Sequence, residues 1–304
     1  MQPLVECVPN FSEGRNSETV TRIAGAIRSF EGACVLDTHI DPDHNRSVVT
    51  FVAPPDRILG AALLAVRIAT DLIDMRQHVG EHPRLGATDV LPFIPVRDVT
   101  IEQCVDVARE AGRRIADELS IPVYFYERAA LRPDRVNLED VRRGGWELLR
   151  RQIRAVAERK PDVGPQATHE TAGAIAVGAR QFLIAFNVVL RTDDISVARQ
   201  IAKAIRSRSG GLPFLKALGF QLHSRGLVQV SMNLVNYEVT GMAAAYEAIQ
   251  READRLGVEI ESAEIVGLLP RAALDRKARY FHKLVNFSES KILEHQIARL
   301  CGML

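Results

Sequence analysis

The sequence predicts an α/β (α+β) protein of two lobes, each an antiparallel sheet with two helices on one face. Three observations carry that expectation. The chain has 304 residues, about twice the ~150 typical of one domain. Its hydrophobic pattern switches between period two and period 3.6 in the order β-α-β-β-α-β. The same order returns after a Pro/Gly-bearing stretch at 160–180. That order is ferredoxin-like, so two such lobes are expected, as domains 1–178 and 179–304. Each leaves one sheet face uncovered, and two open faces can pair.

In the first half a strand is expected at Leu4–Val8, then a helix with Val20, Ile23, Ala24 and Ile27 at helical spacing, then strands near Ala33–Asp37 and Arg46–Ala53. A longer helix places Ile58, Ala62, Ala65, Ala69 and Leu72 on one face, and the strand Val90–Val96 follows. A helix near Ile101–Leu119, a strand at Val123–Tyr126 and a helical stretch over Asn137–Glu158 extend the lobe. The segment Lys160–Arg180 shows no sustained periodicity and is expected to be linker or loop. In the second half strands are expected at Phe182–Val189, Phe214–Leu222, Leu227–Val235 and Ala263–Val266, with helices at Asp194–Arg206 and Val239–Leu256. Ser288–Leu300 closes as a helix with Ile292, Leu293, Ile297 and Leu300 as its apolar stripe.

Composition excludes several classes of function. A hydrophobic fraction of 47% with 25% charged residues is that of a chain with a buried core. Lys+Arg 39 against Asp+Glu 38 leaves a net charge of +1 without long charged blocks, so neither nucleic acid nor a membrane surface is an expected partner. The opening MQPLVECVPNFSEG meets Pro3, Glu6 and Pro9 too early for a signal peptide, and no run of ~18 apolar residues occurs, so a cytoplasmic location is expected. Cys7, Cys34, Cys104 and Cys301 lie far apart without a C-x-x-C pair, which fits reduced thiols.

The most informative stretch is Asp74–Val96, DMRQHVGEHPRLGATDVLPFIPV, where Gly80, Pro83, Gly86 and Pro92 exclude a regular helix. His78 and His82 therefore do not form a helical metal pair. His82 reads as a loop-borne acid or base, or as a surface or structural histidine. DTHIDPDHN at 37–45 gathers Asp37, His39, Asp41, Asp43 and His44. It fits a metal-ligand cluster, a non-metal site, or a polar turn between two strands, and the turn is the plainest reading. Pro9–Gly14 is a strand-to-helix turn able to receive an anion or to cap a helix. In LVQVSMNLV at 227–235, Val228, Val230, Met232 and Leu234 alternate with Gln229, Ser231 and Asn233. With Asn187, these neutral groups suit a ligand crevice or simply a solvated face. Neither a G-x-G-x-x-G nor a Walker sequence nor a G-x-S-x-G elbow is present.

Together these segments resemble the formimidoyltransferase family, which occurs free-standing and as part of formimidoyltransferase-cyclodeaminase. The resemblance rests on VECVPNFSEG at Val5–Gly14, NRSV at Asn45–Val48, the Asp74–Val96 motif, PVYFYE at Pro122–Glu127, the PD and GP pairs within Pro161–Pro165, GAR and FLIAFNV within Gly178–Val188, and VQVSMNL at Val228–Leu234. It covers nearly the whole chain, and no counterpart of the cyclodeaminase domain is seen. It implies two lobes whose sheets face one another around a substrate tunnel, transfer of a formimidoyl group from N-formimidoyl-L-glutamate to N5 of tetrahydrofolate, folate as co-substrate, no metal, and a homodimer. By motif His82 corresponds to the catalytic residue. Gly164, Pro165, Gln166, Ala167, Thr168, His169, Glu170, Thr171, Ala172 and Gly173 correspond to the folate segment. The sequence departs from the family pattern at His39, where an acidic residue is usual, and at GGWE, Gly144–Glu147. The charge partner of His82 is thus either Asp37 or Asp41. Arg46 and Arg84 are the basic residues nearest the motifs, as carboxylate holders or ion-pair residues. The competing readings are a glutamate formyltransferase, a metal-dependent amidohydrolase built on 37–45 with His78, and a non-catalytic folate binder.

Overall fold

A computed structural model of the chain describes residues 2–80, 82–285 and 287–302. It divides into two compact units, the first ending at Arg180 and the second spanning Gln181–Gly302. In the first unit, β1 (Leu4–Cys7) and β2 (Asn10–Phe11) are two parts of one path interrupted at Val8–Pro9. Helix α1 (Ser17–Ser29) starts at Asn16, whose side chain accepts the backbone N–H groups of Glu18 and Thr19. Strands β3 (Cys34–Asp41) and β4 (Arg46–Ala53) flank the turn at 42–45, so the polar-turn reading describes its backbone. Helix α2 (Pro55–Leu72), β5 (Thr88–Arg97), α3 (Ile101–Leu119), β6 (Val123–Glu127), α4 (Leu138–Val141), α5 (Gly145–Gln152) and β7 (Ile175–Ala179) complete the unit.

Its sheet runs β3, β4, then β1 and β2, then β5, β7 and β6. The pairs up to β5 are antiparallel, but β7 lies parallel to both β5 and β6. This sheet is therefore mixed, and β7 falls inside the stretch expected to be a linker. The reason is physical: Ile175, Val177 and Ala179 join the core under α1–α3, while Ala174 and Ala176 join a second cluster with Tyr124, Tyr126, Leu149 and Ile153 beneath α4 and α5. A strand buried on both faces shows no polar alternation. The helix expected over 137–158 is also broken, because Gly144 (φ 78°) and Gly145 (φ 65°) turn the chain between α4 and α5.

The second unit holds β8 (Ile184–Leu190), α6 (Ile195–Ile205), β9 (Leu215–Leu222), β10 (Leu227–Leu234), α7 (Met242–Leu256) and β11 (Ile260–Val266). Its sheet is wholly antiparallel, in the order β11-β8-β10-β9. Phe186, Val188, Val230 and Met232 pack in one core with Ile201, Ala202, Ala245 and Ile249 of the two helices. The C-terminal segment is not one regular helix: a 3₁₀ turn at Glu289–Lys291 precedes α-helical Leu293–Gln296 and a π-helical turn at Ile297–Cys301. Cys7 and Cys104 are free and buried, whereas Cys34 and Cys301 are not free, which departs from the expectation of four reduced thiols. Among the described residues no helix is long and apolar enough to cross a membrane.

Candidate active site

Four irregular segments of the first unit converge. The Ser12 N–H and hydroxyl donate to the carbonyls of Ala87 and Gly86 at 2.9 and 2.8 Å, which ties the β2 turn to the His82 loop. Asn45, at φ 47°, accepts the Gly14 N–H at 3.0 Å and donates to the Val79 carbonyl at 3.0 Å. The His82 loop is in turn joined to the 164–173 segment, because Ala87 N–H donates to the Ala172 carbonyl at 2.9 Å and Ala174 N–H to Leu85 at 3.0 Å. Gly86 makes that approach possible: a Cβ there would stand 2.2 Å from the Ala174 oxygen.

His82 is partly buried. Its Nδ1 lies 2.8 Å from the Pro83 carbonyl. A carbonyl only accepts, so Nδ1 carries the proton and Nε2 is the basic nitrogen of the neutral ring. Burial, and then the positive charges of Arg46 and Arg142, hold the ring's pKa well below the usual histidine value. Beside it, the His44 ring lies edge to face at 6.2 Å between centroids. His44 Nδ1 meets Asp41 Oδ2 at 2.6 Å, and its backbone N–H donates to Asp41 Oδ1 at 2.9 Å. Burial raises the Asp41 pKa, but these bonds from His44 outweigh it and the carboxyl titrates low. Of the two candidate partners for His82, Asp41 is thus bonded to His44. Asp37 and His39 sit half-buried on β3, and Asp37 Oδ2 has no hydrogen-bond partner among the described residues.

Arg46 donates from Nη1 to Asp89 at 2.7 Å and from Nη2 to Asn10 Oδ1 at 2.9 Å. Arg142 donates to the same Asp89, which is fully buried and also accepts the Leu85 N–H at 2.9 Å. Burial opposes ionisation of Asp89, yet Arg142 and Arg46 hold its pKa low. Two guanidinium groups sharing one carboxylate give this cluster a positive balance. Arg84 donates from Nε to His78 Nδ1 at 3.0 Å and from Nη2 to Glu147 at 2.7 Å. His78 Nε2 lies 2.9 Å from the Asn45 carbonyl, so both ring nitrogens are engaged and the ring is neutral. Burial first, and Arg84 as well, lower its pKa. Among the described residues no group of three or more His, Cys, Asp or Glu is placed to hold a metal ion.

Within 164–173, Gly164, Pro165, Gln166 and Glu170 are exposed, Ala167, Thr168, His169 and Thr171 partly buried, and Ala172 and Gly173 buried. The segment is not slack throughout. His169 and Gly173 exchange backbone hydrogen bonds of 2.8 and 3.1 Å, and His169 Nδ1 accepts the N–H groups of Thr171 and Ala172 at 3.3 and 3.0 Å. A cavity of about 360 Å³ lies between this segment and α5, lined by Arg150, Ile153, Arg154, Ala167, Thr168 and Glu170. A hollow of about 460 Å³ around Glu102, Arg109 and Arg128 includes none of the candidate site residues.

In the second unit, Gln229, Ser231 and Asn233 occupy the sheet face opposite the helices, as period-two geometry requires, and Ser231 pairs with Asn187. Gln229 and Asn187 are buried, Ser231 is partly exposed and Asn233 exposed. Asn187 Oδ1 and Gln229 Nε2 have no hydrogen-bond partner among the described residues. Nothing in the sequence flagged Asn10, Asp89 or Arg142 as site residues. The available signal for Asp89 was an aspartate opening an otherwise apolar strand, which demands a cationic partner.

Comparison with known proteins gives these residues a context. The model of the "Formiminotransferase domain, N-terminal subdomain" matches residues 4–180, and that of the "Formiminotransferase domain" matches 185–302. The glutamate formimidoyltransferase of Thermoplasma acidophilum is 47% identical over 302 residues, covering 99% of both chains. That of Streptococcus pyogenes serotype M1 is 43% identical, covering 98% of this chain and 99% of its own. The formimidoyltransferase-cyclodeaminase of Rattus norvegicus is 44% identical over 93% of this chain but only 53% of its own length. With both subdomains matched across almost its whole length, this chain belongs to the formiminotransferase family.

Proposed function

We propose that this chain transfers a formimidoyl group from N-formimidoyl-L-glutamate to N5 of tetrahydrofolate and releases L-glutamate, with folate as co-substrate. The observation that carries this reading is His82: a neutral ring, fixed through Nδ1, beside the positive cluster of Arg46, Arg142 and Asp89. N5 must lose its proton as it attacks the amidine carbon, and His82 Nε2 is the acceptor. General base help of this kind contributes about 10²–10⁴-fold. The positive balance of the Arg46–Asp89–Arg142 cluster suits a substrate carboxylate. Segment 164–173 holds the folate, its C-terminal half braced against the His82 loop by backbone bonds.

The finer expectations belong to the same proposal. The order β11-β8-β10-β9 with α6 and α7 on one face supports a ferredoxin-like lobe. The buried polar atoms of Asn187 and Gln229 support a role for that sheet face in orienting substrate. A facing-sheet tunnel and a homodimeric assembly complete the picture. The test is a turnover assay with tetrahydrofolate and either N-formimidoyl- or N-formyl-L-glutamate. Glutamate release with the formimidoyl donor is expected; turnover of the formyl donor alone would assign the formyltransferase reading instead.

A further inference from the structure

The reaction moves two protons, while His82 offers one basic nitrogen. Its Nδ1 is committed to the Pro83 carbonyl at 2.8 Å, so only Nε2 can serve N5. The amine leaving the tetrahedral intermediate needs a proton of its own, delivered at a different nitrogen. Within the same unit a second imidazole lies close by: His44 is 8% exposed, lies 6.2 Å from His82 between ring centroids, and is oriented by Asp41 through both its ring and its backbone. The turn that carries it is fixed too, because Asn45 bonds Gly14 and Val79 and leaves His44 little freedom to swing away.

We propose that His44, held by Asp41, is the general acid that protonates the departing glutamate nitrogen, while His82 is the base at N5. This assignment rests on the formimidoyl-transfer reading. The N5–C bond forms as the C=N π pair of the protonated amidine moves onto its terminal nitrogen and the N5 proton passes to His82 Nε2. The C–N bond to glutamate then breaks as His44 Nε2–H gives its proton to that nitrogen, the bonding pair leaves with the amine, and the terminal nitrogen's lone pair re-forms the C=N bond of the group now on N5. One histidine has gained a proton and the other has lost one. Return of the proton from His82 to His44 resets the pair without any redox partner. The carboxylate of Asp41 balances the His44 ring when it carries both protons, as in other histidine–carboxylate pairs. His44 thereby takes the role that a single-histidine scheme gives to His82 in the second half of the reaction.

The distinguishing measurement is sensitivity to the leaving group. Turnover is compared on N-formimidoyl-L-glutamate and on N-formimidoyl-4,4-difluoro-L-glutamate, whose departing amine is less basic and leans less on an acid. His44→Gln should lower kcat about 10²-fold on the first donor and about 10-fold or less on the second. Asp41→Asn should shift the two donors in the same unequal way and supplies the comparison if His44→Gln does not fold. His82→Gln should lose equally on both. Equal losses for the His44 and Asp41 variants on the two donors, or parent-like turnover of His44→Gln, would overturn the assignment. The parent enzyme separates the two levels: if it fails to turn over N-formimidoyl-L-glutamate, the transfer reading falls and takes this one with it. If it turns over and the variants ignore the fluorines, only the acid assignment falls.

Discussion

The role proposed for His82 depends on which nitrogen carries the proton and on what surrounds the ring. Burial together with Arg46 and Arg142 lowers its pKa, so the basic form persists below the range where an ordinary histidine protonates. The sign follows directly: the attacking amine needs neutral imidazole, and kcat/KM should therefore stay flat through pH 6.5 and fall only in more acid solution. A limb centred at or above about 6.5 would show that the arginines do not act on the ring. Asp89 is the other decisive residue, since it is bonded to both guanidinium groups of the cluster. Asp89→Asn leaves two cations facing each other in a buried site and should destabilise the protein by about 3–5 kcal/mol. Urea unfolding measures this, and a loss under about 1 kcal/mol would mean that water or rearrangement neutralises the pair.

At the scale of elements, the loop holding His82 works because it is bonded on several sides by other irregular segments. Gly86 sits at the closest approach, with a missing Cβ that would meet the Ala174 and Ala172 oxygens at 2.2 and 2.3 Å. Gly86→Ala should cost about 1–3 kcal/mol in stability. It should also lower kcat, because the backbone that must move carries both His82 and the 164–173 segment. Unchanged stability and turnover would show that the two loops need not touch. How far these elements could be read from sequence depends on the surroundings of each. The alternation of β10 was legible because one face is apolar and the other polar, and the Gly80, Pro83 and Gly86 pattern marked the His82 loop as irregular. β7 was hidden because apolar side chains on both faces leave no period. The long helix over 137–158 failed at two adjacent glycines, Gly144 and Gly145, whose positive φ turns the chain where α5 begins.

For the whole molecule, the hardest features to foresee were those assembled from distant positions. Arg142 and Asp89 are 53 residues apart, and no local pattern links a helix-terminal arginine to an aspartate near the start of a strand. The pairing of Asp41 with His44 is local, but the choice of His44 over His82 as its partner is made by the turn's backbone. The proposed transfer of a one-carbon unit to folate through His82 is tested by following the carbon itself. Parent and His82→Gln enzymes are each mixed with tetrahydrofolate and N-formimidoyl-L-glutamate labelled with carbon-13 in the formimidoyl group, and a single turnover is followed by NMR. Label is expected on N5 in the parent, with transfer slowed at least ~10²-fold in the variant and similar tetrahydrofolate binding by both. Label that never reaches N5 in the parent, or equal transfer rates in the two enzymes, would contradict it.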